Sequence, residues 1–168
     1  MPSSFELSLD APVSVDEILS AFGNTDYWEA RLAAFGRGTA TLDALTVDGD
    51  GAVSAALTVN LFRDRLPSIV TRLRGGELTI GRTERWDRTA DGRARGEISV
   101  AVPGAPVTAG GEVWLVPGPR GSQVDFVTTI EIDIPLLGGQ IERVIGGMVR
   151  KDIVAVQHFT NEWIRQNR

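Results

Sequence analysis

PLLGGQIERVIGGMVRKDIVAVQHFTNEWIRQNR, residues 135–168, is the one long segment of this chain with sustained helical periodicity. Ile141, Ile145, Met148, Val149, Ile153, Val156, Phe159 and Trp163 recur at spacings of three and four. That sets them on one broad stripe of a helix of roughly seven to eight turns, about 40 Å long. Glu142, Arg143, Arg150, Lys151, Gln157, Glu162 and Arg165 fall on the other side, which is read as the face toward water. An amphipathic helix of this length cannot bury its stripe alone. It needs a large complementary apolar surface, and nearly everything upstream patterns as β-strand. The expected solution is a curved antiparallel sheet wrapped around the helix.

Working back from that helix, the period between Arg37 and Asp133 is two. Strands are predicted at Thr39–Val47, Val53–Phe62, Leu78–Asp87, Ala94–Val102, Val107–Val116 and Gln123–Ile134. Asp48-Gly49-Asp50-Gly51, Asp91-Gly92, Pro103-Gly104-Ala105-Pro106 and Pro117-Gly118-Pro119-Arg120-Gly121 separate them with turn chemistry, so consecutive strands form antiparallel hairpins. The longer gap, residues 63–76, is read as a helical turn across one end. Before the meander, Phe5, Leu7 and Leu9 alternate with polar residues as a first strand, which Pro12 ends. Ser14-Val15-Asp16-Glu17 is a capping box opening a short helix. A second short helix, DYWEARLAAFG, is capped by Asn24 or Thr25 and stopped at Gly36.

The 168 residues suit one domain with a substantial core. The absence of cysteine rules out disulfides and thiolate chemistry, and the single histidine, His158, leaves no basis for a histidine-rich metal centre. Neither a metal nor a cofactor is expected. A net charge of −5 argues against a nucleic-acid partner. MPSSFELSLD lacks the basic and apolar regions of a secretory signal, and no apolar run approaches the roughly 20 residues a membrane span needs. The expectation is a soluble cytoplasmic protein without a membrane span.

The order strand, two short helices, six strands, long helix resembles the helix-grip fold of the START-like (SRPBCC) superfamily, which includes the birch-pollen-allergen family, lipid-transfer domains and polyketide cyclases. TDYWEARLAAFG, the Leu66-Pro67 loop leading to GELTIGRTERWD, and IDIPLLGGQIERVIGG are similar to an actinobacterial family of unknown function within that superfamily. The resemblance covers the whole chain and implies an α+β fold, a seven-stranded curved antiparallel sheet around the C-terminal helix, with an internal hydrophobic cavity between them. It supplies no catalytic residues.

If the sheet grips the helix, the apolar parity of each strand faces that cavity. Leu57, Val59 and Leu61 then line it from one strand, Ile98 and Val100 from another, Val113 and Leu115 from a third, and Phe126, Thr128 and Ile130 from the last. Ile141, Ile145 and Met148 face them from the helix. Ala55, Gly96, Ala109 and Gly111 are small inward positions, which leave space for a ligand unless aromatic side chains fill it. GELTIGRTERWD breaks the pattern, because the parity of Ile80 and Trp86 also carries Arg82 and Glu84 inward. Charged groups there are costly unless paired. Either they orient a ligand's polar head, or they satisfy each other near the open end, or a bulge turns them to solvent.

Asp152 at the margin of the helical stripe is read as an acid or base, as a partner of Arg82, or as a solvated margin residue. His158 is read as a surface residue, and Tyr27 and Trp28 as packing aromatics or one wall of an entrance. Trp114, on outward parity beside Glu112, is a candidate dimer contact. Arg63, Arg65, Arg72 and Arg74 form a cationic cluster that borders the cavity mouth or is simply solvated. Gly138-Gly139 and Gly146-Gly147 make no phosphate loop; they allow close approach to the sheet or leave room for a ligand. The expected function is binding or transport of a small hydrophobic molecule, a lipid, fatty acid or polyketide-like compound, by a monomer or homodimer. The alternatives are a cyclase- or hydrolase-type enzyme using Arg82, Glu84 or Asp152, and a protein-interaction module.

Overall fold

Strand follows helix in the order the sequence pattern dictates. The computed structural model describes residues 3–35, 38–61 and 78–168. In chain order these form β1 (Ser3–Ala11), α1 (Val15–Phe22), α2 (Thr25–Phe35), β2 (Gly38–Val47), β3 (Val53–Leu61), β4 (Leu78–Arg88), β5 (Ala94–Ala101), β6 (Val107–Gly118), β7 (Gly121–Ile132) and α3 (Gly138–Gln166). The Leu61 side chain, the helical turn expected at residues 63–76 and its cationic cluster lie outside the described residues.

The seven strands form one antiparallel sheet in the order β1-β7-β6-β5-β4-β3-β2. From β2 to β7 the chain meanders, each strand pairing with the next. β1 joins at the far side, against β7, with Phe5 opposite Thr128 and Leu7 opposite Phe126. Strands adjacent in sequence, β1 and β2, therefore occupy opposite edges, and α1 and α2 carry the chain between them. The Ser14 capping box forms as expected: the Glu17 amide donates to Ser14 Oγ at 3.1 Å and the Ser14 amide donates to Glu17 Oε1 at 3.1 Å. Asn24 begins α2 by accepting the Asp26 amide at 2.8 Å. This is the α+β helix-grip arrangement.

α3 packs on β1, β7, α1 and α2. Its 29 residues run about 43 Å. Two features of its surface depart from the sequence reading. Glu142 and Gln157, assigned to the water-facing side, are buried. Along the C-terminal turns the buried line is Gln157, Thr160, Asn161 and Ile164, while Phe159 and Trp163 are only half-buried beside Tyr27. The cause is that α1 and α2 also claim a side of the helix, so its end has two packed faces, and a polar line is accommodated by bonding: Gln157 Nε2 donates to Asn161 Oδ1 at 3.0 Å and Thr160 Oγ1 to the Val156 carbonyl at 2.9 Å.

Ahead of α3 the chain makes an exposed turn in which Leu136 has a φ of 70° and is fully open to solvent. Gly138 then enters the helix against the sheet; a Cβ there would stand 2.3 Å from the Ile132 carbonyl oxygen. Gly139, Gly146 and Gly147 have open space where a Cβ would be, so close approach accounts for only the first of the four. No helix among the described residues is long and apolar enough to cross a membrane.

Candidate functional site

The pairing register arranges the inner face of the sheet in rows. Leu57, Arg82, Val100, Ala109 and Ile130 lie side by side across five strands; Ala55, Glu84, Ile98, Gly111 and Thr128 form the next row; Val53, Trp86, Gly96, Val113 and Phe126 form the third. The third row is solid. Gly96 is not an empty place: the Trp86 ring fills it, and an added Cβ would meet that ring at 2.5 Å. Phe22 packs on Trp86 in a tilted ring pair with centroids 4.8 Å apart, and Trp28 donates its indole N–H to the Phe22 carbonyl at 2.7 Å. Val113, Leu115, Val124 and Ile164 complete this packed end under α1 and α2.

Glu84 sits just inside that packed end, 2 % exposed. It accepts hydrogen bonds from Arg82 Nε at 2.8 Å, Arg31 Nη2 at 3.4 Å and Trp86 Nε1 at 3.2 Å. Arg31 reaches it from α2 and lies over the Trp28 ring, 4.7 Å from the centroid. Beside it, the buried Tyr27 hydroxyl and Thr160 Oγ1 share a hydrogen bond of 2.6 Å. Burial alone pushes the Glu84 carboxyl up, but Arg82 and Arg31 outweigh it and hold the group below its ordinary range. Burial likewise works against a charged Arg31, yet Tyr27 and Glu84 keep its guanidinium protonated; the Tyr27 phenol is pushed up by burial. Glu84 is thus an ionised, fully engaged acceptor. Arg82 and Glu84 form an inward ion pair, with Arg31 as a third member, and no bulge turns them to solvent.

At the opposite end, the first turn of α3 is pinned. Glu142 accepts from Ser3 Oγ at 2.8 Å and from the Ile132 amide at 2.9 Å, tying the helix to both β1 and the end of β7. Those bonds, the Ile132 amide first, hold its carboxyl below the ordinary range. Ile130, Ile132 and Ile141 form the second core cluster there.

Between the two packed ends, both walls are only partly covered. From Arg143 to Val156 α3 has no buried residue. Ile145, Met148, Val149, Asp152, Ile153 and Val156 are half-buried, and so are Val59, Ile80, Arg82, Ile98 and Val100 on the sheet. Ala109, Gly111 and Thr128 continue that half-buried floor, and Phe126 borders it from the packed third row. This half-buried zone lies along the middle of α3. Leu57, Val113, Leu115, Ile130 and Ile141 from the sequence-predicted set lie in the packed clusters that bound it.

Asp152 is half-buried and engaged in an interaction of its own. His158 is exposed. Trp114 is half-buried on the outer face, donating its indole N–H to Glu112 at 2.5 Å, with Arg95 on the other side of that carboxylate. Arg31 went unread in the sequence although a signal exists: it follows Tyr27 by four and Trp28 by three positions, which puts an arginine on the buried face of α2.

Residues 6–164 match the model of a family described as "Protein of unknown function (DUF2505)". The chain belongs to that family. Uncharacterized proteins of Mycobacterium tuberculosis and Mycobacterium bovis are each 37 % identical to this DUF2505 protein over 173 residues, with 99 % of both chains covered. Among solved structures it is similar to TTHA0849 from Thermus thermophilus, with a TM-score of 0.60, 14 % identity and 99 % of each chain covered. It is also similar to norcoclaurine synthase from Thalictrum flavum in complex with a transition-state analogue, with a TM-score of 0.61, 12 % identity, and 99 % and 96 % coverage. Ara h 8.0201 aligns with a TM-score of 0.57 at 13 % identity, covering 99 % of each chain. At such identities the likeness carries the START-like helix-grip fold and nothing finer.

Proposed function

We propose that this DUF2505 protein binds and carries a small hydrophobic molecule, a fatty acid, lipid or polyketide-like compound, between the sheet and the middle of α3. The observation that carries this reading is a thinly covered interior: a helix stretch from Arg143 to Val156 without a buried residue, and apolar positions on the inner face of the sheet that are themselves half-buried. Interiors elsewhere in the molecule close to protein density, as at Gly96 beneath Trp86. Apolar walls left incomplete in this way are what a hydrophobic ligand completes. The state of Glu84 favours carrying over proton transfer, since a carboxylate with three donors and a lowered pKa is a poor base.

Native mass spectrometry of protein purified from its own host tests this. The expected result is an added mass that organic extraction removes. Repeated absence of that mass, together with no displacement of a neutral lipid probe, overturns the proposal.

A further inference from the structure

Among the described residues, the charges in the cluster around Glu84 do not balance. Two guanidiniums, Arg31 and Arg82, meet one carboxylate, Glu84, so the cluster as formed by the described residues carries a net positive charge. Glu84 has no further role available, because Arg82, Arg31 and Trp86 already occupy it. Arg31 is sealed between α2 and the sheet, its side chain 10 % exposed. Arg82 differs: its side chain is 32 % exposed and fixed from behind through Nε. Among the described residues no acceptor pairs with its two Nη groups. Its neighbours across the sheet are Leu57 and Val100, and Ile80 precedes it on the same face.

We infer that Arg82 anchors an anionic head group, so the interior selects an amphiphile bearing a carboxylate over a neutral molecule with the same tail. This deepens the proposed function and rests on it. A neutral ligand that filled the apolar zone would strip water from the Arg82 fork and return at most an uncharged acceptor. A carboxylate supplies the missing charge and matches the planar fork with two parallel acceptors, while Glu84 holds the guanidinium in place. Arg82 sets specificity, and the half-buried apolar residues around it hold the tail.

Dodecanoate and dodecan-1-ol share a tail and differ at the head. Delipidated protein at neutral pH, loaded with Nile red as a neutral reporter, gives the affinity of each by displacement. Dodecanoate is expected to bind tighter by about tenfold or more, the scale of a hydrogen bond to a charged group. Arg82→Gln, which retains a donor toward Glu84, is expected to abolish that preference, and Arg82→Lys to keep part of it. Equal affinities in the unaltered protein overturn the inference while the carrier reading stands. A preference that survives Arg82→Gln also overturns it, since the anchor then lies elsewhere. If neither compound displaces the reporter, the inference fails, and the native mass spectrum decides the carrier reading separately.

Discussion

Replacing Glu84 by Gln leaves two guanidiniums facing a neutral amide, one of them sealed against Trp28. Breaking a buried ion pair from one side costs about 3–5 kcal/mol, because the remaining charge has no compensation. Urea unfolding of Glu84→Gln is expected to show a loss of that size. The pH dependence has a definite sign. A carboxyl held below its ordinary range stabilises the fold fully above the unfolded value and loses that contribution as pH falls through the folded one. The stability gap between the two proteins should therefore be full at neutral pH and should narrow as pH drops below 4.5, the ordinary value for this group. Tyr27→Phe is a milder change. Thr160 keeps its bond to the Val156 carbonyl at 2.9 Å, so what is lost is the Tyr27–Thr160 hydrogen bond and the phenol oxygen's interaction with Arg31, about 1–3 kcal/mol by the same measurement.

The elements make a contrast that side-chain volume can probe. Val113 on β6 is 1 % exposed inside the packed cluster, whereas Val100 on β5 is half-buried beside Arg82. Val113→Phe overfills a closed space and is expected to cost about 1–3 kcal/mol. Val100→Phe enters the half-buried zone; stability should stay within about 0.5 kcal/mol, while displacement of Nile red weakens. Equal destabilisation by both would mean that the middle of the interior is as full as its ends. The same contrast explains what the sequence could convey. Strand parity was legible because an alternating pattern assigns a face to every residue, and it put Glu84 inward correctly. It did not reveal that Trp86 covers Gly96, since that depends on pairing β4 with β5 in one register. Nor did the helical wheel expose Glu142, whose two donors, Ser3 and Ile132, come from strands that meet only in the folded sheet.

For the molecule as a whole, β1 and β2 sit at opposite edges, and α1 with α2 bridges them over the inner face. That topology matches the helix-grip fold that the element order and the quoted segments resemble. What fills the interior could not be read in the same way, because packing density is a property of all walls at once. A ligand that binds only the folded form stabilises it by mass action, about 2.7 kcal/mol at a hundred times the dissociation constant. Protein taken from its host is thus expected to melt at a higher temperature than the same protein after delipidation, and added dodecanoate should restore the difference.

The turn at Leu136 gives the molecule an obvious place to be cut. Its side chain is fully open and its backbone stands in the left-handed region, clear of both sheet and helix. Loop tips of this kind are where proteases nick folded proteins. Brief chymotrypsin treatment should cleave after Leu136 and separate the strands from the helix in sequence, though not in space. Held at its front by Glu142 and at its back by Tyr27 and Phe35, the excised helix is expected to co-elute with the sheet on gel filtration. After Glu142→Ala the same nick should let it go.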